Sequence, residues 1–295
     1  MKIIENCYRQ YYYTYYGSHN GWLKDSSVES KIAWRLKKLT NIWLMFGDKL
    51  HKVISDNLKR HNKNINDKEL IECMRNTLNY GVKQSAIKQR TGEWDEYPKG
   101  EMLQEYYYGH KLDEDVVLEI KERINKCCTN FCNCETYIDL KKENTKLIEA
   151  DEGVFDYFTI NNVKVFALID TLYIDEDGNY VIVDWKTGRY SEYDKDQLIV
   201  YAIYVMEKYG VKLERIKGRI EYLLIGEKYE YSFSEDDINN MKVRIDSDLK
   251  VIDNFLVDFD YNIPREKEVF RKSNDDKKCF KCKFKKLCFD LEGLI

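Results

Sequence analysis

The run Val181-Ile182-Val183-Asp184-Trp185-Lys186-Thr187-Gly188 constrains this chain more than any other stretch. Three consecutive β-branched residues predict a strand buried on both faces, and an acid and a base then follow two residues apart. Side chains at i and i+2 of a strand point the same way, so Asp184 and Lys186 share one face while Trp185 packs on the other. One reading is a plain strand end, with both charges surfacing into a turn at Thr187-Gly188. The other is a chemical site, and the rest of the chain has to separate the two.

An apolar run that also ends in a carboxylate, Phe166-Ala167-Leu168-Ile169-Asp170, lies one predicted strand earlier. If the two strands are antiparallel neighbours joined by the Asp-Gly turn at 175–179, pairing sets Asp170 near Asp184. Two carboxylates and a nearby backbone carbonyl form a partial shell for a hard cation such as Mg²⁺ or Mn²⁺. Lys186 could then orient a water or steady charge on a phosphate. That is phosphodiester-cleaving chemistry.

Elsewhere, Val28, Ile32, Leu36, Leu39, Trp43, Phe46, Leu50 and Ile54 recur at helical spacing and predict one long helix from 28 to about 59. More helix is predicted over 68–89 and 113–142. Strands are expected at 155–160 and 163–174 around Asn161-Asn162, leading into 180–186 as a three-stranded meander. A helix over 194–208, a strand pair at 219–225 and 229–233, a helix over 235–255 and an irregular tail complete an α+β chain with a mixed sheet. Only Pro98 and Pro264 interrupt the 295 residues and no linker stands out, so a single domain, 1–295, is expected. Its parts are a helical 1–150, a catalytic sheet and helix over 151–235, and a C-terminal 236–295.

With 43% hydrophobic and 34% charged residues, and no apolar signal core or membrane-length run, the expectation is a soluble cytoplasmic protein without a membrane partner. The formal charge of −4 leaves room for a local basic groove, because phosphate contacts act within a Debye length. Nine cysteines, an odd number, argue against a disulfide framework. Cys279, Cys282 and Cys288 have metal-ligand spacing and need a fourth ligand, for which Cys7 is available. Cys127, Cys128, Cys132 and Cys134 do not converge on a tetrahedral centre from one helix and read as small buried hydrophobes, as does Cys73. The triplets Tyr11-Tyr12-Tyr13 and Tyr106-Tyr107-Tyr108 read as core packing more than base stacking.

Asp170 with Asp184-x-Lys186, the Gly47-x3-His51 pattern on the long helix and Gln197-x3-Tyr201 after the strand resemble the RecB-like branch of the PD-(D/E)XK nuclease superfamily. Each part alone is weak: His51 could be an ordinary helix histidine, although a mid-helix glycine one turn away costs about 1 kcal/mol and so often permits a close approach. Cys7-Tyr8-Arg9-Gln10-Tyr11 with the C-terminal cysteines resembles the iron–sulfur members, AddB-type subunits and CRISPR-associated exonucleases. Tyr8 stands where those members commonly have proline, and Ala167 where a glycine often precedes the aspartate by three residues.

The resemblance implies a restriction-endonuclease-like core with a mixed central sheet, a large helical N-terminal part, and a C-terminus stapled by a [4Fe–4S] cluster on Cys7, Cys279, Cys282 and Cys288. It implies Mg²⁺ or Mn²⁺ on His51, Asp170, Asp184 and the Trp185 carbonyl, with Lys186 positioning the attacking water and Gln197 and Tyr201 orienting Lys186 and the substrate strand. Glu149 and Glu152 are weaker candidates for a further acid. The implied function is a DNA exonuclease acting on single strands or ends, with DNA and a protein of a DNA-processing or antiviral defence complex as partners. The alternatives are a zinc site in place of the cluster and a nucleic-acid-binding module that does not cut.

Overall fold

Val181, Ile182 and Val183 are at most 2% exposed because helices cover both faces of their strand. In the computed structural model, which describes residues 2–60, 64–150 and 156–289, this strand sits third in a five-stranded sheet. Numbered along the chain, the strands are β1 (Lys146–Ala150), β2 (Asp156–Ile160), β3 (Val163–Ala167), β4 (Thr171–Ile174), β5 (Tyr180–Lys186), β6 (Ile216–Tyr222), β7 (Glu227–Ser232), β8 (Leu256–Asp258) and β9 (Ile263–Pro264). The sheet runs β1-β4-β5-β6-β7, and only the β5–β6 pair is parallel. A parallel pair needs a crossover, and the helix Asp194–Tyr209 supplies it. Gly218 of β6 lets that helix approach: a Cβ there would lie 2.9 Å from Leu198 Cδ1 and 2.6 Å from Phe233 Cζ.

The chain divides into two compact units. The unit formed by Trp43–Asn79 and Leu112–Asp246 holds the sheet. On one face Leu198, Ala202 and Val205 are fully buried; on the other, Phe131 stacks edge-on against Trp185 with centroids 5.3 Å apart. The unit formed by Met1–Ile42, Tyr80–Lys111 and Ser247–Ile295 is mainly helical, with a core of Tyr13, Leu36, Trp94, Met102, Phe284 and Leu287. There the two ends of the chain are tied together: Arg9 Nε donates to the Phe270 carbonyl at 2.8 Å, and Tyr13 stacks on Phe284. Among the described residues no helix is long and apolar enough to cross a membrane.

Several expected elements are divided. The helix expected over 28–59 is two, Val28–Lys37 and Ile42–Lys59. Thr40 leaves the helix to bridge Leu103, its N–H donating to Met102 and its carbonyl accepting from Gln104. The helix expected over 113–142 breaks at Cys134, which is extended between Glu114–Asn133 and Glu135–Lys141. The predicted meander also changes. β2 and β3 form a separate two-stranded sheet, the expected strand 163–174 is interrupted at 168–170, and the place beside β4 is taken by β1, which the sequence reading missed. The tail is not wholly irregular, since it carries β8, β9 and the short helices Asp276–Lys281 and Lys285–Phe289.

Candidate active site

Thr171 of β4 pairs with Val183 of β5, so the same antiparallel register brings Asp170 across from Asp184. Asp170 ends the interruption before β4, and its Oδ2 accepts the Trp185 N–H at 2.8 Å. The interruption frees this carboxylate from the ladder and turns it onto the end of β5. Asp184 and Lys186 share a face, as alternation requires, and Lys186 Nζ lies 2.7 Å from Asp184 Oδ2. Trp185 points the other way, with its indole N–H on Thr171 Oγ1 at 3.2 Å.

Asp184 is 3% exposed. Burial and the neighbouring Asp170 push its carboxyl well above the usual range, while Lys186 pulls it back. Its Oδ2 has no hydrogen bond of acceptable angle despite the lysine at ion-pair distance. Lys186 is itself held from the crossover helix. Gln197 Oε1 accepts from Nζ at 2.9 Å, and Gln197 Nε2 donates to the Tyr201 hydroxyl at 2.6 Å. Gln197 and Tyr201 are i, i+4 neighbours, so one helix face builds this relay.

The helix Ile42–Lys59 brings His51, whose Nδ1 is 3.1 Å from Asp170 Oδ1. Burial lowers the imidazole pKa, but the charge and hydrogen bond of Asp170 outweigh it, aided by Asp184 and the Trp185 backbone, and carry it to about 9. Gly47 faces Thr187, where a Cβ would meet Oγ1 at an ordinary 3.5 Å, so packing against Thr187 does not demand glycine. The sequence reading missed Asp194, whose Oδ1 lies 3.8 Å from Lys186 Nζ and whose Oδ2 accepts from Tyr222 at 2.8 Å. Its only signal was its place at the start of the helix after the Asp-x-Lys strand. Glu149 is engaged elsewhere, accepting from Lys208, Tyr204 and Tyr209. Glu152 lies outside the described residues.

His51 and Asp170 suit a shared cation. Adjacent ligands of an octahedral ion with bonds of about 2.1 Å stand about 3.0 Å apart, close to the observed 3.1 Å. The buried Asp184 Oδ2 without an aligned donor adds an oxygen suited to a hard ion. These residues fit Mg²⁺ or Mn²⁺ as a partial shell. Among the described residues, however, no three His, Cys, Asp or Glu side chains gather as a complete metal cage.

The other predicted site is in the helical unit. Cys7, Cys279, Cys282 and Cys288 line one small cavity, together with Asn6, Gln10 and Lys272 among others. Cys7 leads the helix Tyr8–Tyr12 in an extended conformation, and the three C-terminal cysteines belong to the segment of the two last helices. Burial raises the pKa of Cys282, and the charges of Cys7 and Cys279 add to it. Cys127 and Cys128 are fully buried, and burial lifts the Cys127 thiol to about 12, as expected of inert packing groups. Cys73 is exposed on its helix instead of packed.

Comparison with known proteins agrees with this geometry. The profile of the PD-(D/E)XK nuclease superfamily matches residues 2–289, nearly the whole chain, and the chain belongs to that superfamily. It is therefore a metal-dependent nuclease-type hydrolase acting on nucleic acid, of a superfamily that typically uses Mg²⁺ or Mn²⁺. A search of the curated proteins finds no match.

Proposed function

We propose that the chain is a DNA exonuclease acting on single strands or DNA ends, with Mg²⁺ or Mn²⁺ held by Asp170, Asp184, His51 and the Trp185 carbonyl. The observation that carries this is Lys186, 2.7 Å from Asp184, opposite Asp170, and fixed by Gln197. A divalent cation at these ligands would polarise the phosphodiester and lower the pKa of its water. The remaining roles belong to the chain itself. An ammonium has three donors; Gln197 accepts one, Asp184 lies at ion-pair distance, and a remaining donor can reach a water or a phosphate oxygen. The Gln197–Tyr201 relay fixes the direction of that donor. His51, kept protonated beside Asp170, must release its proton to serve as a ligand, so metal affinity should fall as pH drops below about 9.

We assign Cys7, Cys279, Cys282 and Cys288 to a [4Fe–4S] cluster that joins the chain ends. Support comes from their shared cavity and from the all-thiol donor set. One zinc with bonds of about 2.3 Å would gather its sulfurs to within about 4 Å, whereas a cubane holds them on separate corners.

Anaerobically purified protein should be brown and, with Mn²⁺, should degrade linear but not circular single-stranded DNA, while Lys186→Met should not. A colourless zinc protein overturns the cluster. Cleavage of circles overturns the exonuclease assignment, and a metal-loaded wild type that cuts no DNA overturns the reading as a whole.

A further inference from the structure

The 295 residues carry a net charge of −4, yet Arg271 to Phe289 holds eight lysines and arginines against two aspartates. Most of this charge is not matched by carboxylates. Among the described residues, Lys277, Lys278, Lys281, Lys285 and Lys286 form no ion pair, although the chain has 52 acidic side chains. Lys283 differs, since its ammonium is tied to the carbonyls of Lys37 and Leu39. Among these cations stand two exposed rings, Phe280 at 66% and Phe289 at 60% exposure. Lys285 Nζ lies 4.7 Å from the Phe280 ring centre and 4.1 Å from that of Tyr108, so charge and ring form one continuous patch.

Solvated cations beside an exposed aromatic ring match a strand that offers phosphates and unstacked bases together. A purely acidic peptide would use the cations but not the ring, and a duplex keeps its bases stacked inside. We infer that the helices Asp276–Lys281 and Lys285–Phe289 present a binding surface for single-stranded nucleic acid, with Lys277 and Lys281 on phosphates and Phe280 stacked on a base. It is a second contact for the nucleic acid, made by residues that take no part in the cleavage site. The inference rests on the proposed function only in naming DNA as the strand.

The test is binding of fluorescent oligo-dT to the full-length protein as purified, without divalent cation, as a function of salt. Lys277→Ala with Lys281→Ala should weaken binding and lower the slope of log K against log salt by about 1.4, that is about 0.7 per lost phosphate contact. Phe280→Ala should weaken single-strand binding about tenfold while leaving duplex binding unchanged, and Phe280→Tyr, which keeps the ring, should restore it. A double variant with wild-type affinity and slope overturns the surface. Equal losses on duplex and single strand, or no rescue by tyrosine, overturn the stacking role. A wild type that binds oligo-dT but never cuts DNA would refute the proposed nuclease and leave this inference standing. One that cuts while these variants bind normally would do the reverse.

Discussion

In the sheet unit, Asp184 is almost wholly buried and has a lysine 2.7 Å away, with a histidine 3.1 Å from the facing Asp170. In the helical unit, four cysteines face one cavity, Cys282 Sγ accepting the Phe284 N–H at 3.4 Å and Cys279 meeting the Ser273 carbonyl. The difference follows from charge. A carboxylate cannot be buried ionised without a compensating cation, so the protein must supply Lys186 and His51 from its own chain. An unliganded thiol is neutral and tolerates burial, so its neighbours need only backbone contacts. The first site is therefore built by mutual attraction of its members, and the second by the packing of the segments that carry them.

The sharpest way to break this contrast is to remove one charge from the first site. Lys186→Met should abolish cleavage by at least about two orders of magnitude while metal binding, by titration calorimetry with Mn²⁺, stays equal or tightens. Asp184→Asn should lose cleavage and metal affinity together. A Lys186→Met protein that still cuts would reduce the pair to an ordinary ion pair at a strand end.

In the second site the corresponding change should act on the fold. Cys279→Ser or Cys7→Ser should lose iron and lower the melting temperature by on the order of 5–10 °C, the scale of a few kcal/mol. Cys73→Ser, at an exposed position, should change neither iron content nor melting. Retention of full iron by Cys7→Ser would place the fourth ligand elsewhere.

A smaller effect tests the relay. Tyr201→Phe removes the hydroxyl 2.6 Å from Gln197 Nε2, leaving a donor unmatched and Lys186 less well aimed. The turnover number should fall about tenfold with unchanged metal affinity; equal turnover would make the tyrosine a packing residue.

The smallest effect is a pH dependence. His51 titrates near 6.5 when unfolded and near 9 when folded. Its contribution to stability is full below pH 6.5 and is lost as pH rises through 9. Melting in chelator should therefore fall more steeply across that window in the wild type than in His51→Gln. Parallel curves would show that His51 is not held by Asp170.

Patterns that depend on neighbours in the chain were legible in the residues. The period of two in β5 placed Asp184 beside Lys186, and the period of 3.6 placed Gln197 beside Tyr201. The turn at Asp175–Asn179, with Gly178 at φ +78°, set the register that brings Asp170 opposite Asp184. These arrangements follow from local geometry, which a sequence contains in full.

Tertiary structure decided whatever depends on a partner far along the chain. Thr40 abandons its helix because Met102 and Gln104, some sixty residues away, offer its backbone other hydrogen bonds. β1 exists because β4 has an open edge, and its own residues Lys146–Ala150 carry little strand signal. Asp194 joins the cluster around Lys186 because β6 lies parallel to β5 and brings Tyr222 up to hold it. Spacing can propose that Cys7 meets Cys279, Cys282 and Cys288, but the common cavity exists because Arg9 and Tyr13 dock on Phe270 and Phe284. A backbone group or a charge takes the best partner in reach, and only the folded chain determines which partners are within reach.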